Sequence, residues 1–375
     1  MALTLIIFTS YLMIIVLIVV AFIVVVYLYM QRPLFGQTAS GTRLERMQQS
    51  SHYKNGQFHN LSPTPALTEG FTYTGVLKRF LFSSNPEGKP GIDLPTKKQD
   101  LRQLDPSENV LVWFGHSSYF LQLDGKKILV DPVLSGHASP VRFTTRSFKG
   151  SDVYTVDDLP PIDYLFLTHD HYDHLDYDSI IRLQPKVKQV ITGLGVGAHL
   201  EYWGYKPEQL IEKDWFEEIS LDAGFVVYTM PARHFSGRRF KRNVTLWSSF
   251  VLVTPTRRIY LGGDSGYDTH FKMIGDMYGP FDLVILENGQ YDNAWKYIHM
   301  TPEEAVQAAI DLQAKLLLPV HWSKFALANH AWREPAIRVQ REAERCNMPL
   351  LHPMIGEVVH LQKLTAPVSW WEAIE

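Results

Sequence analysis

A chain of 375 residues, 20% of them charged, is long enough to bury one substantial core. Its net charge of −3 offers no global basic field for nucleic acid, and without a long basic arm it argues against a nuclease. The single cysteine, Cys346, excludes an intramolecular disulfide and suits a reducing compartment.

The chain opens with an uncharged apolar run from Met1 to Met30. About 20 helical residues at about 1.5 Å each cross a hydrocarbon core, so the run spans with some tilt. A cleaved signal peptide would have a basic start, a shorter apolar core and a small-residue cleavage site. Here the first basic residue is Arg32, and the run ends in Tyr27-Leu28-Tyr29-Met30. A buried core helix is seldom apolar on every face over this length. Residues 1–30 are therefore read as a single-pass transmembrane helix. Arg32, Arg43, Arg46 and Lys54 all follow it, which by the positive-inside rule places the larger part of the protein in the cytoplasm. Tyr27, Tyr29 and Phe35 fall near the interface. Residues 31–108, rich in Gly, Pro, Ser, Asn and Gln, read as a linker and irregular arm, and 109–375 as one domain. Asn60-Leu61-Ser62 and Asn243-Val244-Thr245 match the glycosylation sequon, but in a cytoplasmic domain they are chance matches.

Beyond the arm, short β-rich runs recur. Val110–Phe114, Tyr119–Leu123 and Lys127–Val130 read as successive strands, with Asp124-Gly125 as a hairpin turn. Tyr164–Thr168 and Gln189–Thr192 follow. A second set comprises Val226–Met230, Ser249–Val253, Arg258–Leu261, Leu283–Leu286 and Leu316–Val320. Thr301-Pro302-Glu303-Glu304 combines a capping box with proline at the first helical position. Ala305, Ala308, Ala309 and Leu312 then mark one apolar helix face. Strands followed by helices, twice over, predict an α/β sandwich of two packed sheets with helices outside.

The chemistry is carried by Thr168-His169-Asp170-His171-Tyr172-Asp173-His174-Leu175-Asp176, directly after an apolar strand. Three imidazoles and two carboxylates within six residues are costly to bring together without a cation. Zinc favours His nitrogen and Asp oxygen, and two adjacent ions can divide such a cluster; iron and manganese accept the same donors. A solvated His/Asp loop is the bland alternative, and a cluster at this spacing argues against it.

His-x-His-x-Asp-His resembles the signature of the metallo-β-lactamase superfamily. The resemblance implies a four-layer αββα sandwich holding two zinc ions. It also implies ligand roles for later residues that end strands. His234 in Pro231-Ala232-Arg233-His234 would join His169 and His171 on one ion. Asp264 in Gly262-Gly263-Asp264-Ser265-Gly266-Tyr267 would bridge both, and His321 in Leu318-Pro319-Val320-His321-Trp322 would join Asp173 and His174 on the other. Asp131, ending its strand, matches an aspartate that supports a ligand histidine in relatives. His116 in Gly115-His116-Ser117-Ser118 lies at a strand end that faces the site in relatives, or is simply bonded in a turn. Asp170 and Asp176 read as supporting or solvated carboxylates. Such a centre lowers the pKa of a shared water to roughly 7, so hydroxide is the expected nucleophile, oriented by the catalytic carboxylates Asp173 and Asp264.

Three further stretches resemble the N-acylphosphatidylethanolamine-hydrolysing phospholipase D subgroup. They are Arg233-His234-Phe235-Ser236-Gly237-Arg238, then Trp295-Lys296-Tyr297-Ile298-His299-Met300-Thr301-Pro302, and His321-Trp322-Ser323-Lys324-Phe325. The resemblance implies phosphodiester cleavage of an N-acylated phospholipid, with the phospholipid and the membrane as partners. Phe235 stands where the subgroup often has Trp, and the membrane span is an addition. The basic run Arg238, Arg239, Lys241 and Arg242 reads either as a phosphate and anionic-lipid contact or as a solvated loop. Trp295, Tyr297, His299 and Trp322 read as substrate-binding, with core packing the alternative for the aromatics. A lactonase of the same fold and a non-catalytic metal-binding scaffold are the competing functions; a scaffold would lack ligands, and here every position is filled.

Overall fold

The computed structural model describes residues 2–82, 85–364 and 368–374. α1 (Ala2–Tyr29) is one continuous helix of 28 residues, about 42 Å long against about 30 Å of hydrocarbon. None of its most apolar window is buried in the protein. Its C-terminal end is fixed to the globular part, where the Tyr29 hydroxyl donates to Pro140 O at 2.6 Å and the Tyr29 ring meets Phe35 edge-on.

The arm is more ordered than its composition suggests. It holds α2 (Gly41–Gln48), a ribbon of β1 (Tyr53–Lys54) and β2 (Gln57–Phe58), and α3 (Tyr73–Phe82). Phe35, Met47, Phe58, Leu94 and Leu101 are buried anchors spread along it. They stand too far apart for a helical or strand period, so only the compositional signal was visible in the sequence.

The strands β3 (Val110–Trp113), β4 (Tyr119–Leu123), β5 (Lys126–Val130), β6 (Ile162–Leu167), β7 (Val187–Gly193) and β8 (Leu210–Lys213) form most of the first sheet. The second sheet contains β9 (Glu218–Ser220), β10 (Val226–Met230), β11 (Ser249–Val253), β12 (Arg258–Leu261), β13 (Leu283–Glu287) and β14 (Leu317–Val320). The last strand, β15 (Val358–His360), returns to pair with β3 in the first sheet, whose order is β15-β3-β4-β5-β6-β7-β8. The second runs β14-β13-β12-β11-β10-β9. In both sheets an antiparallel half gives way to a parallel half, at β5–β6 and at β12–β13. Asp124 and Gly125 both have positive φ, 46° and 79°, the two-residue hairpin geometry that joins β4 to β5 in register.

Period-two side chains make the layers. Leu111, Trp113, Leu121, Ile128 and Phe166 meet Phe250, Leu252, Ile259, Ile285 and Leu318 between the sheets. The opposite face of the first sheet, with Val112 and Leu165, packs on α4 (Tyr177–Leu183) and α5 (Gly197–Tyr202). The opposite face of the second, with Tyr260 and Val284, packs on α6 (His270–Tyr278), α7 (Pro302–Asp311) and α8 (Glu334–Cys346). The result is the four-layer αββα sandwich. Thr301 caps α7 as its capping box requires.

Trp322 belongs to this interior rather than to a substrate-binding surface, which takes the core-packing alternative over the substrate-binding expectation. Its ring lies 5.3 Å from Trp113 and 5.6 Å from Trp370, and its N–H donates to Pro319 O. The side chain alternates inward after His321 and fills the space closed by the chain's last helical turn, Trp370–Ala373. Trp322→Ala should destabilise the folded chain by about 3–5 kcal/mol, read as a lowered urea midpoint in detergent solution. A midpoint unchanged from the parent would remove Trp322 from the core.

Candidate metal centre

One rim of the sandwich collects the ends of β5, β6, β10, β12, β13 and β14, and these ends deliver Asp131, the His169–His174 loop, His234, Asp264, Glu287 and His321. Several of these corners leave the ordinary backbone regions. His116, Asp131, His321 and Ser323 have φ of 52°, 40°, 69° and 64°, conformations that non-glycine residues adopt at a cost and that concentrate at functional sites. Gly263 has φ of 61°, and a Cβ there would meet the Thr168 side chain at 2.8 Å, so glycine lets Asp264 approach the histidine loop.

The side chains fall into two groups. In the first, His171 Nδ1 lies 2.9 Å from His169 Nε2 and 3.2 Å from His234 Nε2. In the second, Asp173, His174, His321 and His116 place one donor atom each within 4.8 Å of one another. Asp264 stands between them. Its Oδ2 is 3.1 Å from His174 Nε2 and 3.8 Å from both His169 Nε2 and His234 Nε2, while its Oδ1 is 3.2 Å from His321 Nδ1.

The opposite nitrogens are held from behind. Asp131 accepts from Thr168 N at 2.9 Å and from Thr168 Oγ1 at 2.6 Å, and pairs with His174 Nδ1 at 2.8 Å. One carboxylate thereby fixes the loop and leaves His174 Nε2 free to face Asp264. His234 Nδ1 meets Ile298 O at 2.9 Å, and His321 Nδ1 meets Ser117 Oγ at 2.8 Å. Among the described residues, the buried atoms His174 Nε2, His321 Nε2 and Asp264 Oδ1 have no hydrogen-bond partner. Buried nitrogen and carboxylate donors that converge without partners fit divalent cations of the zinc type.

The family model for the β-lactamase superfamily domain matches residues 126–322, which contain every candidate donor but His116. The chain belongs to this superfamily. An uncharacterized protein of Mycobacterium tuberculosis is 37% identical over 328 residues, covering 86% of this chain and 88% of its own. N-acyl-phosphatidylethanolamine-hydrolyzing phospholipase D 1 of Caenorhabditis elegans is 32% identical over 292 residues, covering 72% and 80%. Among solved structures, a metallo hydrolase from the archaeon Ignicoccus hospitalis shares the fold with a TM-score of 0.52 at 21% identity, covering 68% of this chain and 98% of that one. This chain is a metallo-hydrolase with the metallo-β-lactamase fold and an N-terminal helix long and apolar enough to cross a membrane.

In this metallo-hydrolase burial depresses most of the donor imidazoles, while against that burial the carboxylates of Asp264 and Asp173 hold His174 well above its ordinary value. Burial and the neighbouring imidazoles hold His169 well below its ordinary value; burial holds His171 down to about 4, although nearby carboxylates oppose it. Burial lifts the Asp264 carboxyl to about 6. Neutral imidazole is the form that ligates a cation.

Residues outside the motif complete the site. Glu287, fully buried at the end of β13, accepts from Ser265 N and Met300 N and pairs with His299 Nδ1 at 3.1 Å. Burial pushes its carboxyl well up. A lone acidic residue closing the apolar strand Leu283–Glu287 was the signal for it. Asn60 of the arm brackets the backbone of His234, donating to its O at 2.8 Å and accepting from its N at 3.1 Å. The arm residue that matched a glycosylation sequon is thus a clamp on a candidate ligand. His116 Nε2 pairs with Asp173 Oδ2 at 2.9 Å rather than merely closing a turn.

The sequence expectations for substrate contact divide. Trp295 and His299 line a cavity of about 440 Å³ that also reaches His171, Asp173, His234, Asp264 and His321. Tyr297 lies outside that lining, with Arg233 stacked 4.6 Å from its ring. Arg238 is buried, and its guanidinium donates to the carbonyls of Leu34, Asp170 and Leu175 while stacking on Tyr172 at 4.2 Å. Arg239 donates to Gly36 O. Both were expected on substrate phosphate; their donors instead satisfy carbonyls that the arm and the metal loop leave open. Arg242, exposed at the cavity mouth and 4.5 Å from the Phe235 ring, is the cation that lines it. Asp170 is a buried support: it accepts from Gly237 N and Thr245 Oγ1 and pairs with His199. Asp176 accepts from Ser179 Oγ at 2.5 Å.

Removing the support should weaken the centre without removing a ligand. Asp131→Ala should lower zinc affinity by about 10–100-fold, measured by competition with a chromophoric chelator. Unchanged affinity would sever Asp131 from the centre. Arg238→Lys replaces a planar fork by a point charge and should cost about 2–4 kcal/mol of stability, with lipid and soluble substrates affected alike. A selective loss on lipid substrate would return Arg238 to phosphate recognition.

Proposed function

We propose that this metallo-hydrolase is a membrane-anchored phosphodiesterase that cleaves N-acylphosphatidylethanolamine-type phospholipids in the manner of phospholipase D. The observation that carries the reading is the mixed character of the cavity. Its floor is the His/Asp centre, and its walls include Leu67, Tyr73, Val76, Trp295 and Ile298, with Arg242 at the mouth. A phosphodiester needs the charged floor, acyl chains need the apolar walls, and a cation at the mouth suits the phosphate. The identity to the nematode enzyme over most of both chains supports the same substrate class.

In this reading His169, His171 and His234 hold one divalent ion, Asp173, His174 and His321 a second, and Asp264 faces both. The donor types favour zinc. Ions bound there supply Lewis acidity toward a phosphate oxygen and lower the pKa of a water to roughly 7. The chain's own groups do the rest. Asp173 and Asp264 orient the attacking water, and Arg242 neutralises charge on the phosphate. His299, whose Nδ1 is paired with Glu287, holds a proton for the departing N-acylethanolamine oxygen. Water oxygen joins phosphorus, the bond from phosphorus to the ethanolamide oxygen breaks, and phosphatidate and N-acylethanolamine result. Residues 1–30 serve as a retained transmembrane helix, 31–108 as an arm and 109–375 as the hydrolase domain. Basic residues after the helix keep that domain in the cytoplasm.

The test is hydrolysis of N-acylphosphatidylethanolamine in mixed micelles, alongside bis-p-nitrophenyl phosphate, with and without chelator. Chelator-sensitive release of N-acylethanolamine is expected. Cleavage of the generic diester alone would keep the chemistry and discard the lipid. Asp264→Asn and His171→Ala should each lower turnover at least 10³-fold, on the order seen when a catalytic group is removed, while the circular dichroism spectrum is retained. Near-normal turnover in either variant would sink the two-ion arrangement.

A further inference from the structure

Between the last turns of α1 and the loop carrying Arg239, Phe240 and Lys241 lies a second cavity, of about 490 Å³, that the hydrolytic reading does not use. Its apolar wall is Phe22, Ile23 and Val26 from the helix and Phe240 from the loop; its polar end is Gln31, Arg239 and Lys241. No carboxylate lines it. Phe240 is 84% exposed at the tip of an otherwise basic turn, which in water would be a poor place for a large aromatic ring.

The helix supplies a ruler. Phe22 precedes Tyr29 by seven residues, about 10 Å along the axis. With Tyr29 at the headgroups, Phe22 and the Phe240 ring across the groove from it stand at acyl-chain depth, whereas Gln31, Arg239 and Lys241 stand at phosphate level. Arg239 Nε and Nη2 donate to Phe35 O and Gly36 O, and Nη1 keeps its donors.

We propose that this groove seats one anionic phospholipid of the bilayer that α1 enters, its acyl chain against Phe22, Ile23, Val26 and Phe240 and its phosphate against Arg239 and Lys241. The proposal rests on α1 being a membrane span. The ligand differs in place and role from the substrate, because the groove and the metal cavity border opposite sides of one turn. Phe235, Arg242 and Asn243 face the metal cavity, and Arg239, Phe240 and Lys241 face the groove. A lipid held here fixes the cavity mouth at the membrane surface.

The test uses the full chain in liposomes. With Cys346→Ser as background, a spin label at Phe240→Cys is read by power saturation with oxygen and with a water-soluble nickel chelate. A label at Ile18→Cys, near the middle of α1, is read in parallel. The expected result is both labels favouring oxygen. Native mass spectrometry of the unlabelled chain should show phosphatidylglycerol retained over phosphatidylcholine by on the order of 10-fold, from two basic side chains near the lipid phosphate. Lys241→Glu should abolish that preference with zinc content unchanged. The groove proposal is overturned if label 240 reads as aqueous while label 18 reads as hydrocarbon. Equal retention of both lipids also overturns it, as does spin–spin broadening at 240 from a second copy of the chain. An aqueous label 18 instead overturns the membrane reading of α1 itself.

Discussion

Buried, converging, unpaired donors are the constraint on which the rest of this structure depends. The imidazoles of His169, His171, His174, His234 and His321 and the carboxylates of Asp173 and Asp264 meet at the floor of the cavity, where His174 Nε2, His321 Nε2 and Asp264 Oδ1 find no partner among the described residues. Such a cluster is unfavourable without cations and stabilising with them, so metal affinity and local folding are one equilibrium. The chain meets that demand by fixing the outward atoms. Asp131 holds His174, Ile298 O holds His234, and Ser117 holds His321. The positive φ values at His116, Asp131 and His321 belong to the same arrangement, since each turns a strand end sharply enough to aim a side chain across the rim.

The second dependence runs from the apolar N-terminal helix to the metal loop. Tyr29 is bonded to Pro140, Phe35 packs edge-on to Tyr172, and Arg238 gathers carbonyls of Leu34, Asp170 and Leu175 around one guanidinium. Tyr172 is itself within the His169–His174 loop, and its hydroxyl donates back to Arg238 O. Buried charge-assisted bonds of this kind are rigid because breaking any one strands an unsolvated group. The stalk is therefore joined to the metal loop through short, buried contacts rather than hung from it by a flexible linker.

Much of this was legible in the sequence, for physical reasons that also mark where legibility ends. The central strands are short, nearly continuous apolar runs buried on both faces, and the His-x-His-x-Asp-His cluster has no cheap explanation without cations, so sheets and centre could be anticipated. Strands as short as Glu218–Ser220 and Val358–His360 offer too few residues for any period to show. The basic run misled because charge alone does not say which way a side chain turns. Arg238 faces inward onto carbonyls whose own positions are set by residues about 65 and 200 places away. Trp322 misled similarly: beside a metal ligand in sequence, it lies on the opposite face of the strand end. Asn60 acts through contacts that no local pattern encodes, and Glu287 shows only as a lone acid closing an apolar strand.

These limits bear on how far family membership reaches toward substrate. The segment matched by the superfamily model, residues 126–322, holds Asp131 through His321 and hence most of the candidate metal centre. The cavity above that centre is finished by residues outside the segment: Asn60, Leu67, Tyr73 and Val76 from the arm, and Leu327 from beyond β14. The same arm residue that shapes the wall, Asn60, also fixes the backbone of His234. Cavity wall and candidate donor are thus joined through Asn60, so a change in the arm that reshaped the wall would also move the His234 backbone. The arm, read from composition as a linker and irregular segment, is where that connection is made.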